Sequence, residues 1–140
     1  MGKAAFRHGA PQRLLMFVLD SGAVTDFASR TQQSAARFRR LRQEGGPQVV
    51  PSVVLVECLT GDSGRDAQIN RFLKTCVVVE DVPEHVARNA ARLRTLARRG
   101  SAVDALIVAL ASPGGTILTA DLKDIEPLAA HAENVAVERI

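Results

Sequence analysis

Leu14-Leu15-Met16-Phe17-Val18-Leu19 runs straight into Asp20, and Thr116-Ile117-Leu118-Thr119-Ala120 runs straight into Asp121. Every residue of both runs is apolar or β-branched, and each run ends on a carboxylate. Such short runs read as strands, Leu14 to Leu19 and Thr116 to Ala120, buried in a parallel sheet. Working outward, Gln48 to Val50, Cys76 to Val79 and Val135 to Val137 read as further strands. Helical patterns fill the intervals. Asp26 to Glu44 reads as one helix, with Phe27, Phe38 and Leu41 on one side and Gly45-Gly46-Pro47 as its stop. Arg65 to Thr75 reads as amphipathic helix. Pro83 opens and Gly100 closes another, with Val86, Ala90, Leu93 and Ala97 as its apolar stripe. Ser101 to Ala111 is apolar nearly all round and is expected to be buried, and Ile125 to Ala130 is a short helix. Ser52 to Leu59 admits two readings. Val53 to Val56 favours a strand, whereas Pro51-Ser52 looks like a helix start. Alternating strands and helices predict α/β layers around a mostly parallel sheet.

The chain has 140 residues, 46% hydrophobic and 24% charged, which fits one globular domain. A chain of this length buries roughly two-thirds of its unfolded surface and needs neither disulfides nor a structural metal. Cys58 and Cys76 are too few for a disulfide framework and read as core thiols in a reducing compartment. Residues 1–13, with Gly2, Gly9 and Pro11, read as a flexible extension, and residues 14–140 as the domain. No apolar run approaches the roughly 20 residues that span a bilayer, and no signal-peptide pattern is present. The expectation is a soluble, cytoplasmic protein without membrane contact. Net charge is +3, carried by 15 arginines against three lysines. Arg30, Arg37, Arg39, Arg40 and Arg42 form one cluster, and Arg88, Arg92, Arg94, Arg98 and Arg99 form another. Arginine suits phosphate, but two solvated helix faces have the same composition, and charge alone does not choose between them.

The acids are more telling. Ligands of open parallel sheets bind outside the carboxyl ends of the strands, where strand order reverses. Asp20 and Asp121 stand at two such ends, although each alone suits a helix N-cap or turn. Asp104 is the only charge in Ser101 to Ala111. It reads equally as a functional acid and as part of a capping box with Ser101. Glu57 interrupts the apolar stretch Val53 to Leu59. Asp124 reads as a solvated acid. Carboxylates that converge raise one another's pKa unless a cation joins them. All-oxygen ligands suit Mg²⁺ or Mn²⁺, not zinc, and His8, His85 and His131 lie away from the acids. A metal-bound water is a nucleophile suited to phosphodiester cleavage.

These residues resemble the motifs of the PIN-domain family. Val18-Leu19-Asp20-Ser21-Gly22-Ala23 resembles its opening, and Pro51-Ser52-Val53-Val54-Leu55-Val56-Glu57 its second acidic motif. Ser101-Ala102-Val103-Asp104-Ala105-Leu106-Ile107 resembles the third, and Leu118-Thr119-Ala120-Asp121-Leu122-Lys123-Asp124 the fourth. The subset most similar is the VapC-type toxins of prokaryotic toxin–antitoxin pairs. The resemblance implies a PIN-like three-layer α/β/α sandwich with a mostly parallel five-stranded sheet, and a helical Ser52 to Leu59. It implies a metal-dependent endoribonuclease cutting transfer or ribosomal RNA. Asp20, Glu57, Asp104 and Asp121 would be the catalytic acids, with Asp20, Asp104 and Asp121 on Mg²⁺, for which Mn²⁺ would substitute. Asp124 would match a fifth acid, and Thr119 the small hydroxyl residue before the fourth. It further implies an antitoxin and a second copy docking on the region Asp26 to Thr75, with DNA reached only through the antitoxin. The stretch before Met16 departs from the family, whose members start almost at the first strand.

Two other readings fit parts of the sequence. One is a catalytically silent PIN-like module that binds RNA or protein, which retention of all four acids disfavours. The other is phosphoryl transfer to Asp20, for which Lys123 is the one suitable lysine.

Overall fold

The computed structural model describes residues 16–140; the readings for residues 1–13 and the first two positions of the Leu14 run lie outside the described residues. Strand β1, Phe17–Leu19, is buried throughout. It is followed by α1, Ser21–Ser29, and α2, Gln32–Glu44. Next come β2, Gln48–Pro51, a 3₁₀ turn at Ser52–Val54, and the one-turn helix α3, Leu55–Cys58. Helix α4, Ala67–Leu73, leads to β3, Val77–Val79. The long helix α5, Glu84–Ala97, and α6, Ala102–Ala111, lead to β4, Thr116–Thr119. Helix α7, Leu122–Ala129, and β5, Ala136–Arg139, complete the domain.

The five strands lie in the order β3-β2-β1-β4-β5, and every pairing is parallel. Phe17 stands opposite Gln48 on one side and Thr116 on the other, so β1 is the central strand. The chain moves one way along the sheet from β1 to β3 and the other way from β3 to β5. Right-handed crossovers place α1 to α4 on one face and α5 to α7 on the other. The packing agrees: α1 packs on α2, α3 and α4, while α5, α6 and α7 pack on one another. The result is the three-layer α/β/α sandwich, with a sheet that is wholly parallel. The core joins Val18, Leu19, Val50, Ile107, Ile117 and Leu128 across the layers.

Some boundaries move from the sequence reading. Asp26 to Glu44 is two helices, not one. Arg30 takes a left-handed conformation (φ 55°), and Thr31 caps α2 by accepting from the Ser34 N–H at 3.1 Å. The break lets Phe27 of α1 turn back onto Phe38 of α2, their ring centroids 5.3 Å apart. Arg98, not Gly100, ends α5 in the left-handed conformation; Gly100 (φ 88°) makes the turn into α6. The segment Ser52 to Cys58 is helical, as a 3₁₀ turn running into α3, with Leu59 already extended. The last strand starts and ends later than Val135 to Val137, because its register is set by pairing with β4.

Candidate active site

Strand order reverses between β1 and β4, and the crevice at their carboxyl ends is the place where such sheets bind ligands. Asp20 leaves β1 at this point and Asp121 leaves β4. Each caps the helix that follows. Asp20 Oδ1 accepts from the Ala23 N–H at 2.8 Å, and Asp121 Oδ1 accepts from the Asp124 N–H at 3.4 Å. Asp104 comes from the other side, in the first turn of α6. It forms a full capping box: Asp104 N–H donates to Ser101 Oγ at 3.0 Å, and Ser101 N–H donates to Asp104 Oδ2 at 3.0 Å. The box engages Asp104 Oδ2 and leaves Oδ1 without a hydrogen bond among the described residues. The N-terminal ends of α1, α6 and α7 converge, and their aligned dipoles favour negative charge at this spot.

Asp20, Glu57, Asp104 and Asp121 line one depression of about 370 Å³, together with Ser21, Gly22, Ser101 and Ala120. Past Gly22 and Glu57 lies a neighbouring hollow lined by Thr25, Asp26 and Ile140. Asp20 is buried, Asp104 half-buried, and Glu57 and Asp121 are exposed at the rim. Burial pushes the Asp20 carboxyl above the usual carboxylate range, and the negative charge of Asp104 pushes the same way. Hydrogen bonds from the Thr119 hydroxyl and the Ala23 and Ala120 N–H groups oppose the rise.

Thr119 organises both strand-end acids. Its hydroxyl donates to Asp20 Oδ2 and accepts from the Asp121 N–H at 2.8 Å. Gly22 is the second supporting residue, and the sequence reading gave it no role. A Cβ on Gly22 would stand 2.7 Å from the Ala120 Cβ, so only glycine lets the β1–α1 and β4–α7 turns approach this closely. No local pattern reveals this, because the partner lies in the last quarter of the chain. Asp124 does not line the depression. Its Oδ1 accepts from Arg99 Nε at 3.1 Å, so it ties α7 to the α5–α6 turn. Lys123 is exposed on α7 and also stands outside the depression. Cys58, beside Glu57, has its thiol pushed up to about 11 by burial and then by the charges of Glu57 and Asp20. Such a rise disfavours the thiolate, the reactive form.

The donor set suits a hard, oxygen-preferring cation. Among the described residues no three His, Cys, Asp or Glu side chains are arranged to hold an ion by themselves. Capping turns one oxygen of each of the three aspartates onto the start of a helix. Asp104 Oδ1, Asp121 Oδ2 and both Glu57 oxygens accept no hydrogen bond among the described residues, and ionised oxygens keep further lone pairs. Magnesium retains several waters and can be held by few direct carboxylate bonds, so the site fits it with water completing the shell.

An all-parallel sheet in this order, layered between helices, is the PIN-like α/β/α fold. Several solved structures share this fold. VapBC2 from Rickettsia felis, crystallised with a DNA fragment from its promoter, superposes with a TM-score of 0.70 at 16% identity, over 89% of this chain and 98% of that one. FitAcB from Neisseria gonorrhoeae gives 0.60 at 19% identity, over 87% and 96%. A toxin–antitoxin complex from Klebsiella pneumoniae gives 0.60 at 19%, over 76% and 88%. At these identities the likeness is one of fold. No family model matches the sequence, and no curated protein does.

Proposed function

We propose that the protein is the toxic member of a toxin–antitoxin pair, a Mg²⁺-dependent endoribonuclease that cleaves structured RNA such as transfer or ribosomal RNA. One observation carries this reading. Four carboxylates from four separate stretches of chain line one depression at the switch point of a sheet whose solved neighbours include a toxin–antitoxin complex. When bound, the divalent ion supplies Lewis acidity, making a bound water more nucleophilic and offsetting charge on the phosphate under attack. Asp20, Asp104 and Asp121 hold it directly or through water, and Mn²⁺ serves in its place. Glu57, on the exposed rim, orients the attacking water. Thr119 fixes the Asp20 carboxylate, and the Ser101 backbone fixes that of Asp104. The chain has no tryptophan or tyrosine for base stacking, so affinity for RNA rests on arginine.

The partner is an antitoxin. Its seat is the groove of about 400 Å³ between α1, α2 and α4, floored by Phe27, Phe38 and Phe72 and rimmed by Arg30, Arg39, Arg42 and Arg71. An aromatic floor within a basic rim matches an amphipathic, acidic segment. The same α1–α4 side serves pairing with a second copy. Among the described residues no helix is long and apolar enough to cross a membrane.

The test is cleavage of total cellular RNA by the purified protein, with Mg²⁺, with EDTA, and with Asp104→Asn. A few discrete cuts that require metal and vanish in the variant are expected. Cuts that persist in EDTA, or in Asp104→Asn, overturn the reading.

A further inference from the structure

The structure sorts the clustered arginines into those already engaged and those that are not. Arg37 pairs with Asp26 at 3.1 Å, and Arg40 with Glu44 at 3.5 Å. Arg88 pairs with Glu84 at 2.7 Å, and Arg99 with Asp124 at 3.1 Å. Arg92 donates to Asn89 Oδ1 and to the His131 carbonyl. Among the described residues the guanidinium groups of Arg94 and Arg98 have no ion pair and no hydrogen bond. The sequence holds no Asp or Glu before Asp20 that could partner them from outside those residues.

Arg94 and Arg98 share a concavity of about 480 Å³ with Ala91, Thr95, Arg99 and Gly100. This notch adjoins the acid site along the chain. Gly100 lines the notch, and the next residue, Ser101, lines the depression that holds Asp20, Glu57, Asp104 and Asp121. Arg99 is anchored between the two by Asp124, three residues past Asp121. An RNA strand entering a site with four carboxylates is repelled by them, and one divalent ion offsets only half of that charge. The phosphates beside the scissile one therefore need cations of their own. Guanidinium forks match phosphate oxygens bidentately. Of the other arginines whose guanidinium groups have no ion pair or hydrogen bond among the described residues, Arg30, Arg39 and Arg71 line the aromatic groove on the α1–α4 side and face a different partner, while Arg65 and Arg139 line neither hollow.

We infer that the notch between the end of α5 and the α5–α6 turn is a phosphate subsite, where Arg94 and Arg98, flanked by Arg99, hold the RNA backbone beside the scissile bond. The inference rests on the ribonuclease reading and adds to it the direction in which the substrate strand leaves the acid depression. Arg94 and Arg98 are positioning residues and take no part in the chemistry.

The test is binding of fluorescein-labelled bulk transfer RNA in EDTA across a salt series, with Arg94→Ala, Arg98→Gly and Arg88→Ala. Arg88→Ala removes one charge from the same helix, but from an arginine already paired with Glu84. Arg94→Ala and Arg98→Gly are each expected to weaken binding roughly five- to tenfold at low salt and to lower the salt slope by about one. Arg88→Ala is expected to bind as the native protein does. Arg98 is left-handed (φ 55°), so glycine there removes the guanidinium without strain, and Arg98→Gly is expected to melt no lower than the native protein. Native affinity and slope in both notch variants, with RNA bound and cut by the native protein, overturn the subsite and leave the nuclease reading standing. A loss in Arg88→Ala equal to theirs also overturns it, since net charge then suffices. Native protein that neither binds nor cuts RNA overturns both.

Discussion

A carboxylate that is only 7% exposed must be held by its surroundings, and Asp20 takes hydrogen bonds from Thr119 and Ala23. Burial still outweighs them, and the folded pKa lies above the ordinary value. Between the two values the folded protein keeps a proton that the unfolded chain has released. Above both, it carries a buried charge. The contribution of Asp20 to stability therefore falls as pH rises through that window. Without divalent ions, Asp20→Asn is expected to melt higher than the native protein at pH 7 and level with it below the carboxylate range. Melting curves across pH check this, and a variant that melts lower at pH 7 contradicts it. Gly22 acts by absence of a side chain. Gly22→Ala forces the two acid-bearing turns apart at the Ala120 contact, with an expected cost of about 1–3 kcal/mol. Cleavage should fall more than urea denaturation alone accounts for, because Asp20 and Asp121 ride on those turns. Unchanged cleavage would mean that their spacing is not critical.

Among the elements, the strands were legible because buried parallel strands are apolar on every residue, and Phe17–Leu19 and Thr116–Thr119 emerge nearly where the runs suggest. The break between α1 and α2 was not. Arginine has no preference for the left-handed conformation that Arg30 adopts, so nothing at that position announces a helix end. The signal that was there is Thr31 with Ser34, a cap inside an otherwise helical pattern. The α3–α4 connection hides another device. Asp66 is buried and accepts from the Thr60 N–H at 2.9 Å, the Thr60 hydroxyl at 2.9 Å and the Gly61 N–H at 2.9 Å. The Thr60 N–H bond leads in holding its carboxyl below the usual range. A lowered folded pKa adds stability above the unfolded value, and that stability is lost as pH falls through the folded one. Asp66→Asn is expected to melt lower than the native protein at pH 7, with the gap closing on acidification. A gap that is constant with pH would show that shape, not charge, holds the loop.

For the molecule as a whole, the candidate site was the most readable part. Asp20 and Asp121 end strands, Asp104 and Glu57 interrupt apolar stretches, and one topological rule brings strand ends together at a switch point. What could not be read is the support behind the acids. Thr119 bridges Asp20 and Asp121, Gly22 meets Ala120, and Arg99 ties Asp124, all through contacts between remote segments. The charge clusters were visible, but their division between two faces follows only from the crossovers. Mn²⁺ titration followed by electron paramagnetic resonance asks whether Asp20, Asp104 and Asp121, with Glu57 at their rim, form one divalent-cation site. Saturable Mn²⁺ binding that Mg²⁺ displaces is expected, lost in Asp20→Asn and in Asp104→Asn while both variants stay folded. Mn²⁺ bound equally by both variants, or not bound by the native protein at all, would contradict it.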